Sequence, residues 1–242
     1  MLATLGPMPT GDEWAFEFKW DGVRAVVSCA GDAVRAVSRN GNDLTASFPE
    51  LRKLPVQLAG RRVVLDGELV ALDEHGVTSF SMLQRRVHVR SPTASLLADV
   101  PVHFFAFDII YLDEASTVTW PYARRREALQ DLELGGGPMS VPPWFSGPGR
   151  ALLDVAADRG MEGVVAKKAT STYQAGRRSR DWIKVPLNAT QEVIVIGWRF
   201  CEELHQMHDQ YHCTARARAS TVHEGGVHRG RLDLHGCHGT RI

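Results

Sequence analysis

Short runs in which apolar and β-branched residues alternate with polar ones recur along the chain, most of them bounded by glycine, asparagine or aspartate. The alternation predicts strands over residues 14–19, 23–28, 33–38, 63–72, 102–111, 161–168 and 192–198. Between them the spacing changes to that of helices. One is expected over 48–58 behind a Ser47 cap, one over 79–87, one over 122–132 after Pro121, and one over 150–159 stopped by Gly160. The order implies an α+β fold of largely antiparallel sheets flanked by helices. Residues 135–149, GGGPMSVPPWFSGPG, read as a turn-rich loop within a domain, because strand and helix signals continue on both sides.

Composition narrows the class. A chain of 242 residues, 44% hydrophobic and 23% charged, can build one large core or two small ones. It has no run of eighteen apolar residues, and MLATLGPMPTGDEW lacks a basic start and an apolar stretch. Neither a membrane span nor a signal peptide is expected, and a cytoplasmic location follows. Of four cysteines only Cys29 lies in the first two hundred residues, which points to thiols rather than a disulfide framework. The formal charge is zero, so contact with nucleic acid would have to come from local patches, such as Arg124, Arg125 and Arg126 or Arg177, Arg178 and Arg180.

After Trp198 the alternation stops. Residues 199–242 hold seven of the ten histidines and three of the four cysteines. Cys201, His205, His208, His212, Cys213, His223, Cys237 and His238 are ligand types for zinc, but no CxxC occurs, and His208 with His212 is the one helical-face pair expected to share an ion. A solvated, disordered tail is the preferred expectation.

The candidate chemistry starts at EFKWDGVRA, residues 17–25, where Glu17, Lys19, Asp21 and Arg24 crowd onto an otherwise apolar strand. A lysine is nucleophilic only as the neutral amine, and burial beside other cations favours that form. If it attacked phosphorus, metal and cationic donors would have to neutralise the leaving group. VVLDGELVALD sets Asp66 and Glu68 inside an apolar strand, where an unpaired carboxylate costs several kcal/mol and a ligand or ion would explain it. GMEGVVAKK places Glu162 at a strand mouth and Lys167 near its far end, and SRDWIKVP presents Lys184 beside Trp182. Each alone also reads as a charged strand end facing water; together that reading is poor.

KWDG with Arg24, SRNG (38–41), LDGE (65–68), FAFDIIYLD (105–113), EGVVAK (162–167) and WIK (182–184) occur in the order and spacing of the covalent nucleotidyltransferases. Residues 1–198 resemble an ATP-dependent DNA ligase, and most closely the ligase domain of bacterial non-homologous end-joining ligases. The resemblance implies an ATP-grasp-like adenylation domain over residues 1–190. Lys19 would attack the α-phosphate of ATP and carry AMP, which would pass to the 5′-phosphate of a DNA nick before the 3′-hydroxyl displaces it. By the family pattern Glu17 would receive the adenine amino group and Phe107 would stack on the base. Arg24 and Glu68 would hold the ribose and neighbouring phosphate, and Arg39 would reach the phosphates. Lys167 and Lys184 would contact the α-phosphate, and Asp21 and Glu162 would bind Mg²⁺ or Mn²⁺. Implied partners are nicked or broken duplex DNA and end-joining repair proteins, with no membrane.

Two departures stand out. The family often carries a second lysine where this chain has Pro186. It also continues into an oligonucleotide-binding (OB-fold) barrel that residues 199–242 do not resemble, so residues 191–242 read as the start of a truncated or frame-altered OB-fold region. Competing functions are an RNA ligase, a capping guanylyltransferase, and a catalytically impaired remnant that binds nucleotide or DNA.

Overall fold

A computed structural model describes residues 1–187; the expectations for the strand at 192–198 and for the tail lie outside the described residues. Two sheets organise these residues. The first has the strand order β1 (Leu2–Leu5), β10 (Arg178–Pro186), β9 (Gly163–Lys168), β2 (Trp14–Phe18). All its pairings are antiparallel except that of β1 with β10. The second has the order β4 (Ala33–Ser38), β3 (Val23–Ala30), β5 (Val63–Ala71), β6 (Val102–Leu112), β7 (Ala115–Ser116), and the two-residue β8 (Met139–Ser140) lies parallel beside β6.

Period-2 alternation assigns each sheet a helix-covered face and a polar face. On the first sheet Phe16, Phe18, Val164 and Ala166 pack against Leu152, Leu153 and Ala156 of α5 (Gly149–Asp158). The residues between them, Glu17, Val165 and Lys167, belong to the opposite face. On the second sheet Ala25, Val27, Leu65, Leu69, Phe104 and Ala106 join the larger core with Leu54 of α1 (Leu54–Gln57) and Leu83 of α2 (Phe80–Val87). Arg24 and Glu68, a cross-strand pair, fall on the other face.

The structure differs from the pattern at several points. Residues 48–58 are not one helix but a 3-10 turn, Pro49–Lys53, followed by the single turn α1. Ser47 does not cap it; its carbonyl instead accepts from the buried guanidinium of Arg86. Proline at the start of both pieces removes backbone donors that a longer helix needs. Strand β1 and the short helix α3 (Ala94–Asp99) carry too few residues for a periodic signal. By contrast Ser79 does cap α2, its hydroxyl accepting from Met82 N–H, and Gly160 ends α5 with φ of 64°.

The most consequential irregularity is in β6. Asp66 pairs with Asp108 but Gly67 pairs with Ala106, so Phe107 has no opposite number on β5; one turn of the ladder further on, Ile110 is likewise skipped. Each bulge rotates its extra residue out of the core register. Phe107 and Ile110 accordingly pack with Met1, Tyr173 and Trp182 in a separate cluster.

Candidate functional site

The polar faces of the two sheets line a cavity of about 250 Å³. Glu17, Lys19, Lys167 and Lys184 come to it from the first sheet; Arg24, Glu68 and Phe107 come from the second, with Arg39 from just beyond β4. These are all eight residues that the resemblance implies for the nucleotide. Val165, Trp182, Trp20 and Arg178 add to the wall.

Lys19 follows β2 and keeps its register, because its backbone N–H donates to the Gly163 carbonyl at 2.8 Å. Glu162 precedes Gly163, and its carboxylate forms an ion pair with the Lys19 ammonium. The loop then turns sharply: a Cβ on Gly22 would lie 2.2 Å from the Leu69 carbonyl oxygen, so only glycine lets KWDG lie this close to β5. Asp21 is held there by its N–H, which donates to the Thr78 hydroxyl at 3.2 Å. The glycine of LDGE has an equivalent reason, since a Cβ on Gly67 would sit 2.5 Å from the Phe104 ring.

Asp66 does not need a ligand to explain it. Arg24 grips its carboxylate with two hydrogen bonds, the Nε contact at 2.9 Å, and the Tyr173 hydroxyl donates to it at 2.8 Å. Burial works against the Arg24 charge, but Asp66 outweighs it, and the guanidinium holds its proton more tightly than usual. Its carbon lies 5.5 Å from the Phe107 ring centre and 5.8 Å from that of Trp182. Glu68, whose carboxyl has no such grip, is pushed up from 4.5 to about 8 by burial, against the pull of Arg24 and Lys19.

Lys167 is 2% exposed and bound to Glu17 Oε2 at 2.8 Å, with the Phe107 and Trp182 ring centres 4.4 and 4.3 Å from its nitrogen. Burial draws its pKa down, though Glu17 pulls the other way. Register accounts for the contact: Glu17 opposes Val165, and Lys167 is its diagonal neighbour on the same face.

Sequence reasoning placed the helix beneath this pair but missed its buried polar face. In α4 (Tyr122–Gln130) the positions 122, 125, 126 and 129 form one buried face, and three of the four are polar. Arg125 binds Asp108 at 2.7 and 3.0 Å, and the Tyr122 hydroxyl donates to Glu17 Oε1. Arg125 and Arg126 are fully buried and so cannot form the surface patch expected with Arg124. The signal was present in the i, i+3, i+4 spacing, but arginine at those positions reads as a solvated face.

Glu162 meets the cavity through its ion pair with Lys19, while neither Glu162 nor Asp21 is among the residues that line it. Among the described residues no three His, Cys, Asp or Glu side chains gather. Two cavity-wall indoles, Trp20 and Trp182, have buried N–H groups without a partner among the described residues, and Arg39, Lys184 and Arg178 make no ion pair with a carboxylate there.

Two curled sheets around a lysine-bearing cleft define a nucleotidyltransferase domain. The chain belongs to the ATP-dependent DNA ligase domain family, whose model matches residues 8–185. It is 42% identical over 201 residues to the multifunctional non-homologous end joining protein LigD of Mycolicibacterium smegmatis, covering 82% of this chain and 25% of that protein. The LigD of Pseudomonas aeruginosa is 34% identical over 199 residues, covering 81% of this chain and 23% of the relative. The chain thus spans about a quarter of the length of these relatives. The solved mycobacterial DNA ligase D complexed with ATP and MES superposes with a TM-score of 0.70 at 42% identity, covering 82% of this chain and 63% of that one. The Chlorella virus DNA ligase-adenylate shares the fold, with a TM-score of 0.53 at 19% identity over 80% of this chain and 71% of its own. Among the described residues no helix is long and apolar enough to cross a membrane.

Proposed function

We propose that this chain is the adenylation domain of an ATP-dependent DNA ligase acting in the cytoplasm on nicked or broken duplex DNA, beside end-joining repair proteins. The observation that supports the reading is a cavity lined by Lys19 together with the other seven residues that the resemblance implies for the nucleotide. Family membership and the DNA ligase relatives support it.

In this reading the Lys19 amine attacks the α-phosphorus of ATP; a nitrogen–phosphorus bond forms and pyrophosphate leaves. The proton shed by Lys19 has Glu162 within reach as an acceptor. Phe107, turned into the cleft by its bulge, stacks on the base while Glu17 meets the adenine amino group. Arg24, fixed by Asp66, and Glu68, protonated near neutral pH, face the ribose and the adjoining phosphate. Arg39 and Lys184, not neutralised by carboxylates among the described residues, are open to phosphate oxygens. Lys167 supports the α-phosphate side from its cage. Asp21 and Glu162 would hold a hydrated Mg²⁺ or Mn²⁺, which would supply charge neutralisation on the phosphates. AMP then passes to a DNA 5′-phosphate, and the 3′-hydroxyl displaces it.

Transfer of labelled AMP from ATP to the protein, with GTP in parallel, tests the reading. Lys19→Ala is expected to abolish the label. Label persisting on another lysine, or equal transfer from GTP, would overturn it.

A further inference from the structure

Both oxygens of the Glu17 carboxylate are held from behind. Oε1 accepts from the Tyr122 hydroxyl and lies 4.0 Å from Arg126 Nε; Oε2 accepts from Lys167 at 2.8 Å. Tyr122 and Arg126 are fully buried, one turn apart on α4. Arg126 is itself fixed, its Nη2 donating to the Pro142 carbonyl at 2.6 Å, and its Nε and Nη1 have no hydrogen-bond partner among the described residues. A carboxylate that accepts at both oxygens from buried donors cannot rotate. Tyr122 remains a donor throughout, because burial and the Glu17 charge raise its phenol well above the usual range.

We propose that Tyr122, backed by Arg126, is a positioning residue that locks Glu17 as an acceptor-only edge of the cavity and so selects a purine bearing an amino group over one bearing a carbonyl at the same position. The inference rests on the nucleotidyl-transfer reading above. The remaining lone pairs of Glu17 can accept from the amino group of adenine; the carbonyl of guanine in that place would set oxygen against oxygen. Without the Tyr122 hydroxyl, Oε1 loses its anchor and the carboxylate can swing toward the unfilled Arg126 donors, away from the base.

The test measures label transfer to protein from ATP and from GTP over a range of nucleotide concentrations, for wild type and Tyr122→Phe, alongside thermal melting. The phenylalanine keeps the buried ring. The expected result is a KM for ATP raised about 10-fold with kcat little changed, and an ATP-over-GTP preference reduced about 10- to 100-fold, the range a misplaced polar contact produces. In a Glu17→Gln background the same substitution should change the preference no further, since the effect runs through that carboxylate. A preference unchanged in Tyr122→Phe, or lost equally in both backgrounds, overturns the proposal. If Tyr122→Phe does not fold, 3-fluorotyrosine at 122, which keeps the hydroxyl as a stronger donor, decides: preference should hold or rise, and a fall refutes the role. Failure of wild type to take label from either nucleotide would instead refute the underlying reading.

Discussion

The Lys19 ammonium and the Glu162 carboxylate face each other across the β2–β9 pairing as an ion pair, placed there by the Lys19 N–H bond to Gly163. In the proposed reaction the same carboxylate would turn from the lysine to a cation when nucleotide arrives. Glu162→Gln should therefore slow AMP loading by about 10² to 10⁴-fold, the range for losing one charge-stabilising group. It should also move the Mg²⁺ titration of that step to higher concentration. A superimposable titration would remove Glu162 from the metal's surroundings.

Arg24 and Asp66 form the second decisive pair. Asp66→Asn leaves a largely enclosed guanidinium facing a neutral amide, and loss of one partner of such a pair costs about 3–5 kcal/mol. Denaturant unfolding should show that loss, with a rise in KM for ATP as Arg24 drifts. An unshifted midpoint would mean that water replaces Asp66 without penalty.

Glu68 makes stability fall with rising pH in a defined window. Its carboxyl titrates at about 8 in the fold against 4.5 ordinarily. Between those values the folded chain holds a proton that the unfolded chain has released, so each step up in pH favours unfolding. Melting temperatures of the wild type should decline from about pH 5 to about pH 8 more steeply than those of Glu68→Gln. Equal slopes would show Glu68 to be ionised in the folded chain.

The motif glycines are close-approach positions. Gly22→Ala would force a methyl to within 2.2 Å of a carbonyl oxygen, and Gly67→Ala to within 2.5 Å of a ring. Each should destabilise by about 1–3 kcal/mol or more, as overpacking does. Gly135→Ala, whose added carbon meets nothing nearer than 4.0 Å, should be close to neutral in the same melts. Similar behaviour of all three would mean that the loop shifts freely away from β5.

The sequence by itself determined which side chains share a face. Alternation of period 2 places Glu17 with Lys19, Val165 with Lys167 and Trp182 with Lys184, and the six motifs contain seven of the eight cavity-lining residues that the resemblance implies for the nucleotide, with Glu17 two positions before KWDG. Strand periodicity is a local property, so it is legible locally. Only the tertiary structure decided how the charges are shared out. Arg24 reaches an aspartate 42 residues away, Glu17 a tyrosine 105 away, and Lys167 a glutamate 150 away. Such partners depend on sheet register and on how α4 docks, and neither is encoded in any short window. The bulge that turns Phe107 into the cleft is of the same kind, because the mismatch between β5 and β6 exists only once they pair. Burial of Arg125 and Arg126 was hidden for a related reason, because a buried arginine is tolerated only beside acceptors such as Asp108 and Pro142, which the fold alone brings to it.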